Sequence, residues 1–135
     1  MVHIPAIRAV ENLDLAAVCT SRPESAAAAA DAYGVKGFHD VHDLAAQPDI
    51  DLIAVVVRVP AHYGVVMPAL EAGKHVFCEW PLGANLAEAQ EMAALARAKG
   101  VVTAVGLQGR QDPALTYVRE LHEEGWLGDV LSVNL

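Results

Sequence analysis

Apolar positions along this chain alternate between short, often β-branched runs and longer stretches with helical spacing. Leu15 to Cys19 is a short apolar run and reads as a strand. Ser21, Arg22, Pro23 and Glu24 have the spacing of a capping box with proline in the first turn. The alanine-rich run Ser25 to Tyr33 is then a helix, with Gly34 where a C-terminal cap belongs. Lys36 to Phe38 is a second short strand, and Asp40 caps a helix over Val41 to Gln47. Leu52 to Val57 is apolar without alternation, as expected of a strand covered on both faces. A helix over Ala61 to Ala72, interrupted by Gly64 and Pro68, ends at Gly73, and His75 to Cys78 is the next strand. Asn85 and Glu88 form another box ahead of a helix over Leu86 to Lys99, closed by Gly100. Val101 to Val105 is a strand, Asp112 and Pro113 open a helix through Glu124, and Val130 to Leu135 reads as a final strand.

Strands and helices taking turns in this way imply βαβ units: an α/β fold with a mostly parallel, doubly wound sheet of Rossmann type. Such a domain starts with a strand, a glycine-rich turn and a helix. Here Ile4 to Val10 already resembles the first helix, and no GxGxxG occurs. The expectation is therefore an incomplete domain over residues 1–128, with residues 129–135 opening the first strand of an absent C-terminal α/β domain. The first strand of a Rossmann sheet lies at its centre. Without it, the Leu15 and Leu52 strands lack their shared neighbour, and the chain should rearrange, be poorly stable or associate, a homo-oligomer being expected.

Composition narrows the function. At 135 residues the chain suits one domain, and 54% hydrophobic with 19% charged residues is globular. A formal net charge of -8, with nine scattered basic residues, argues against contact with nucleic acid. No apolar run is long enough to span a bilayer, and the N-terminus does not read as a signal peptide. Cys19 and Cys78 sit in apolar segments without metal-like spacing, which favours buried thiols, a reducing compartment and a cytoplasmic protein. The histidines define no metal site either.

Two segments carry a family resemblance. The first is Pro60-Ala-His62, followed by Ala69-Leu-Glu-Ala-Gly-Lys-His-Val-Phe-Cys-Glu-Trp-Pro-Leu82. The second is Val105-Gly-Leu-Gln-Gly-Arg110 with the downstream Leu121-His-Glu-Glu-Gly-Trp-Leu-Gly-Asp-Val130. Together they resemble the N-terminal NAD(P)-binding part of the glucose–fructose oxidoreductase/inositol dehydrogenase (Gfo/Idh/MocA) family, in order along essentially the whole chain. The resemblance implies hydride transfer to or from a sugar or polyol, although this chain lacks the family's catalytic domain. One departure matters: the lysine of the family's Glu-Lys-Pro is Trp80 here. Tryptophan offers a stacking face and one N–H donor but no ammonium charge. A Glu-Trp-Pro version resembles the branch with the galactose-pathway repressor, which binds the dinucleotide and regulates, so a non-catalytic sensor is the alternative.

No residue is assigned a catalytic role. Thr20, Ser21 and Arg22 follow the strand whose end meets the adenosine ribose in such folds. An arginine with hydroxyls, and no carboxylate at that point, suits a 2′-phosphate, so NADP is preferred over NAD; Ser21 also serves as a helix cap. Val59, Pro60 and His62 follow the Leu52 strand, His62 being either a cap or a cofactor-side group. Glu79, Trp80 and Pro81 end the His75 strand at the carboxyl edge, where Glu79 alternatively holds the turn. Gln108 and Arg110 follow the Val101 strand, within reach of a nicotinamide carboxamide or a substrate, with an ordinary ion pair equally open to Arg110. The remaining histidines (His3, His39, His42, His75 and His122) are read as ordinary side chains.

Overall fold

The computed structural model describes residues 3–133. It forms two compact units, Met1–Val105 and Gly106–Leu135. The first begins with α1 (His3–Ala9), followed by β1 (Ala17–Cys19), α2 (Pro23–Tyr33), β2 (Lys36–Phe38) and α3 (Val41–Ala45). It continues with β3 (Leu52–Val55), a 3₁₀ turn at Val59–Ala61, α4 (His62–Glu71), β4 (His75–Glu79), α5 (Leu86–Lys99) and β5 (Thr103–Gly106), which runs up to the boundary. The second unit holds a 3₁₀ turn at Gln108–Gln111 and α6 (Pro113–Glu123). Among the described residues no helix is long and apolar enough to cross a membrane.

The strands form two parallel groups, β1-β2 and β3-β4-β5. Ala17 pairs with Lys36, and Leu52 with His75. This is the Rossmann-like arrangement expected without its first strand: the sheet is interrupted between β1 and β3, where that strand would bond to both. β3 corrects one expectation. Ile53 and Val55 are buried, but Leu52 (42% exposed) and Val56 (47%) are not, so the strand is covered on one face only within this chain. Its continuous apolar run suits two covered faces, and α4 and α5 supply just one of them.

The core lies on that covered face. Val66, Ala69 and Leu70 of α4 pack with Met92 and Ala96 of α5 over Ile53, Val55, Val76 and Cys78. Alanine at 69 and 96 lets these helices approach closely. Close approach also governs β2: a Cβ on Gly37 would stand 2.6 Å from Ala26 O and 2.9 Å from Ala30 Cβ of α2. Only glycine fits there.

Caps explain most boundaries. Asn85 caps α5 by accepting from Glu88 N at 3.0 Å, and the Glu88 carboxylate in turn accepts from the Asn85 side-chain amide at 3.1 Å and from Ala84 N, one residue before the cap, at 2.9 Å. Asp40 caps α3 through His42 N at 2.7 Å, and Asp112 caps α6 through Ala114 N at 2.8 Å. Gly34 and Gly100 close α2 and α5 in the left-handed region. At α2 the expected box does not form. The N-cap is Arg22, without a side-chain bond, because Pro23 takes the first helical position and moves the start by one residue. α3 stops at Ala45, short of the expected Gln47. β3 stops at Val55, short of the expected Val57. Val130 to Val133, expected to begin a strand, has no strand pairing, and Asn134 and Leu135 lie outside the described residues.

Replacing Gly37 by Ala should destabilise the chain by about 1–3 kcal/mol, the usual cost of overpacking a tight contact. A urea midpoint unchanged from wild type would show that α2 and β2 are not held this closely.

Candidate functional site

Ligands of open α/β sheets bind beyond the carboxyl ends of the strands. Most of the expected residues stand there. Thr20, Ser21 and Arg22 leave β1; Val59, Pro60 and His62 follow β3; Glu79, Trp80 and Pro81 end β4. Gln108 and Arg110 belong to the second compact unit, in its 3₁₀ turn.

The loop after β1 is organised by hydroxyls. Thr20 N donates to Phe38 O at 3.0 Å, extending the β1-β2 pairing by one residue. Thr20 Oγ1 and Ser25 Oγ lie 2.6 Å apart, and both hydroxyls reach Arg22 O, at 3.1 and 2.9 Å. Ser25 therefore donates into the first turn of α2 without capping it, and the cap expected of Ser21 does not form. Ser21 and Arg22 are exposed, and Arg22 makes no ion pair among the described residues. Acidic groups come near from elsewhere: burial pushes the Cys19 thiol up, and the Asp40 and Asp43 carboxylates push it further. Asp40 is itself engaged in capping α3.

The loops after β3 and β4 meet at His62. Its side chain is 0% exposed, and it is the one buried polar residue among the described residues. Nε2 lies 3.0 Å from Val57 O, and Nδ1 lies 3.0 Å from Pro81 O and 3.3 Å from Leu82 O. The Cys78 thiol is 3.3 Å from Nδ1; burial raises its pKa, as does neighbouring Glu79, so it remains a protonated S–H. The ring is enclosed, and its influence on the carboxyl edge runs through the loops it ties. Trp80 stands in contrast at 65% exposed, joined to Pro81 by a cis peptide.

Two further groups have no signal in the sequence pattern. His3, at the start of α1, places Nε2 3.3 Å from Glu79 Oε1 and its ring 6.4 Å from that of Phe77. His75 Nδ1 accepts from Val102 N at 3.0 Å and so stitches β5 to β4. Both contacts join residues far apart in the chain, which no local spacing announces.

Cys19 is exposed and Cys78 buried. With both thiols biased toward the protonated form, iodoacetamide at neutral pH should label Cys19 slowly and Cys78 only after unfolding. Equal labelling of the two in native protein would show that β4 opens.

Residues 1–107 match the model of the oxidoreductase family with an NAD-binding Rossmann fold. Dehydrogenase aclE of Aspergillus oryzae is 43% identical over 128 residues, covering 93% of this chain and 35% of that protein. The galactose/lactose metabolism regulatory protein GAL80 of Saccharomyces cerevisiae is 35% identical over 104 residues, 73% of this chain and 24% of that protein. The WlbA dehydrogenase from Bordetella pertussis, crystallised with NADH and UDP-GlcNAcA, aligns with a TM-score of 0.86 at 28% identity, covering 93% of this chain and 39% of that one. The chain thus spans between about a quarter and two fifths of these relatives' lengths. A chain of alternating strands and helices, with its loops gathered beyond the strand ends and this match over residues 1–107, belongs to the Gfo/Idh/MocA oxidoreductase family.

Proposed function

We propose that this chain is the dinucleotide-binding segment of an oxidoreductase that transfers hydride to or from a sugar or polyol, and that the segment turns nothing over by itself. The observation carrying this reading is the carboxyl edge of β3 and β4, where an exposed indole stands on a turn anchored by a wholly buried histidine. The residues present suit the two ends of a nicotinamide dinucleotide better than its middle. Trp80 offers a flat face to a ring, and the exposed Arg22, in a loop whose backbone carbonyl accepts from the Thr20 and Ser25 hydroxyls, brings a cation that suits a ribose phosphate, which favours NADP over NAD. No GxGxxG occurs in this sequence, so the grip proposed here rests on those two ends. The bound nicotinamide would supply the hydride chemistry. The chain's own groups hold and orient it: Val59 and Pro60 in the loop after β3, and Glu79, Trp80 and Pro81 in the turn after β4.

The domain assignment follows the same reading. Residues 1–128 form the dinucleotide part, and residues 129–135 lead toward a C-terminal α/β domain. The exposed apolar residues Leu52 and Val56 of one sheet face support a homo-oligomer, and the two free thiols support a cytoplasmic setting. A second reading rests on Trp80. With no ammonium at that position, and with a regulatory protein among the relatives, the same shelf serves a sensor that binds the dinucleotide without turnover.

Titration with NADPH and with NADH, followed by melting temperature, tests the shared claim. Binding at a hundredfold excess over Kd stabilises by about 2.7 kcal/mol, and NADPH should give the larger shift. A flat response to both coenzymes would refute dinucleotide binding by this chain. In the whole protein, sugar or polyol oxidation at ordinary rates by the wild type, with Trp80 in place, would refute the sensor.

A further inference from the structure

We propose that His62 is a positioning residue: its ring pins the turn after β4 so that the Trp80 indole is presented, already ordered, as a stacking platform at the carboxyl edge. The stacking half of this proposal rests on the dinucleotide reading above; the pinning half does not.

The argument starts from backbone groups that no ladder satisfies. Pro81 O and Leu82 O lie beyond the end of β4, and Val57 O lies beyond the end of β3. Carbonyls at such exits turn to solvent or to a side-chain donor. Here the nitrogens of a single enclosed ring lie within 3.3 Å of all three, at positions five residues back and 19 to 20 residues ahead in the chain. A histidine kept for packing volume alone would not need both nitrogens aimed at oxygen acceptors. A neutral imidazole carries one N–H, so the nitrogen holding the proton decides which loop is gripped. Pinning of the Trp80 turn requires the proton on Nδ1, which then donates to Pro81 O at 3.0 Å with Leu82 O at 3.3 Å and Cys78 Sγ at 3.3 Å as further neighbours.

The consequence falls on Trp80. The residue next to it, Pro81, is held through its carbonyl, while the indole itself is 65% exposed. An aromatic side chain on a pinned turn offers a large, flat contact whose backbone is already ordered, which reduces the entropy lost when a planar ring stacks on it.

The test uses the full chain with Trp126 replaced by Phe, leaving Trp80 as the sole tryptophan. Three variants are compared: His62→Ala, His62→Gln and His62→Asn. A glutamine amide reaches the place of Nε2 and so keeps the link to Val57, whereas an asparagine amide reaches the place of Nδ1 and keeps the link to Pro81. Time-resolved anisotropy and acrylamide quenching of Trp80 are read well below each variant's melting temperature, which separates local order from global stability.

The expected result is faster depolarisation and stronger quenching for Ala and Gln, with Asn close to wild type. NADPH affinity should weaken roughly three- to tenfold in Ala and Gln, the range expected when one large side chain and its turn must be ordered on binding. If His62→Ala does not fold, the contrast between Gln and Asn decides. Identical Trp80 anisotropy in all folded variants, or Asn no better than Gln, overturns the pinning role whatever the coenzyme does. The expected anisotropy pattern with no response to NADPH or NADH supports the pinning and overturns the stacking.

Discussion

The architecture of the candidate edge depends on one constraint: carbonyl groups that run past the end of a strand ladder turn either to water or to a side-chain donor. β3 and β4 run side by side in register and then diverge into loops whose next carbonyls have no ladder partner. His62 stands between both loops in the first turn of α4, its two nitrogens 3.0 Å from Val57 O and from Pro81 O, and α4 itself packs on the covered face of the same strands. Sheet, helix and loops are therefore mechanically linked through a single buried ring. Whatever the edge binds, its shape is set by the relation between Val57 and Pro81, and that relation passes through an imidazole.

The remainder of the fold is economical in side-chain volume. Alanine at 26, 69 and 96 and glycine at 37 let helices sit close to one another and to the strands. This explains why an alanine-rich chain still has an enclosed core, in which small residues at contact points allow Leu70, Met92 and Val66 to fill the spaces between. The same arrangement leaves β3 covered on one side only. The bare face carries Leu52, exposed at 42%.

Around the edge, two chemistries are kept apart. The loop after β1 is polar, with paired hydroxyls, an exposed guanidinium and carboxylates near Cys19. The turn after β4 is aromatic, with Glu79 held by His3 to one side. A ligand with a charged end and a flat ring end matches this division better than a uniformly polar or uniformly apolar one. Trp80 stands where the family's motif carries an ammonium and has no proton to transfer at neutral pH, which is the physical root of the choice between the two proposed readings.

The alternation of elements, the caps at Asp40, Asn85 and Asp112, the glycine stops at Gly34 and Gly100, and the family motifs were all legible along the chain, because each depends on neighbours within a few residues. The same local rules misplaced the cap of α2, where Pro23 prevailed over Ser21, and overextended α3 and β3 by two residues each. Sequence spacing located Thr20, His62 and Trp80 near strand ends but could not tell an enclosed ring from an exposed one. That distinction came from contacts spanning 19 to 27 residues: His62 with Pro81 and Leu82, and His75 with Val102. Periodicity records which residues share a face of one element. Which carbonyl a buried ring meets is decided only when separate elements pack, since the cost of an unsatisfied polar group exists only once water has been excluded.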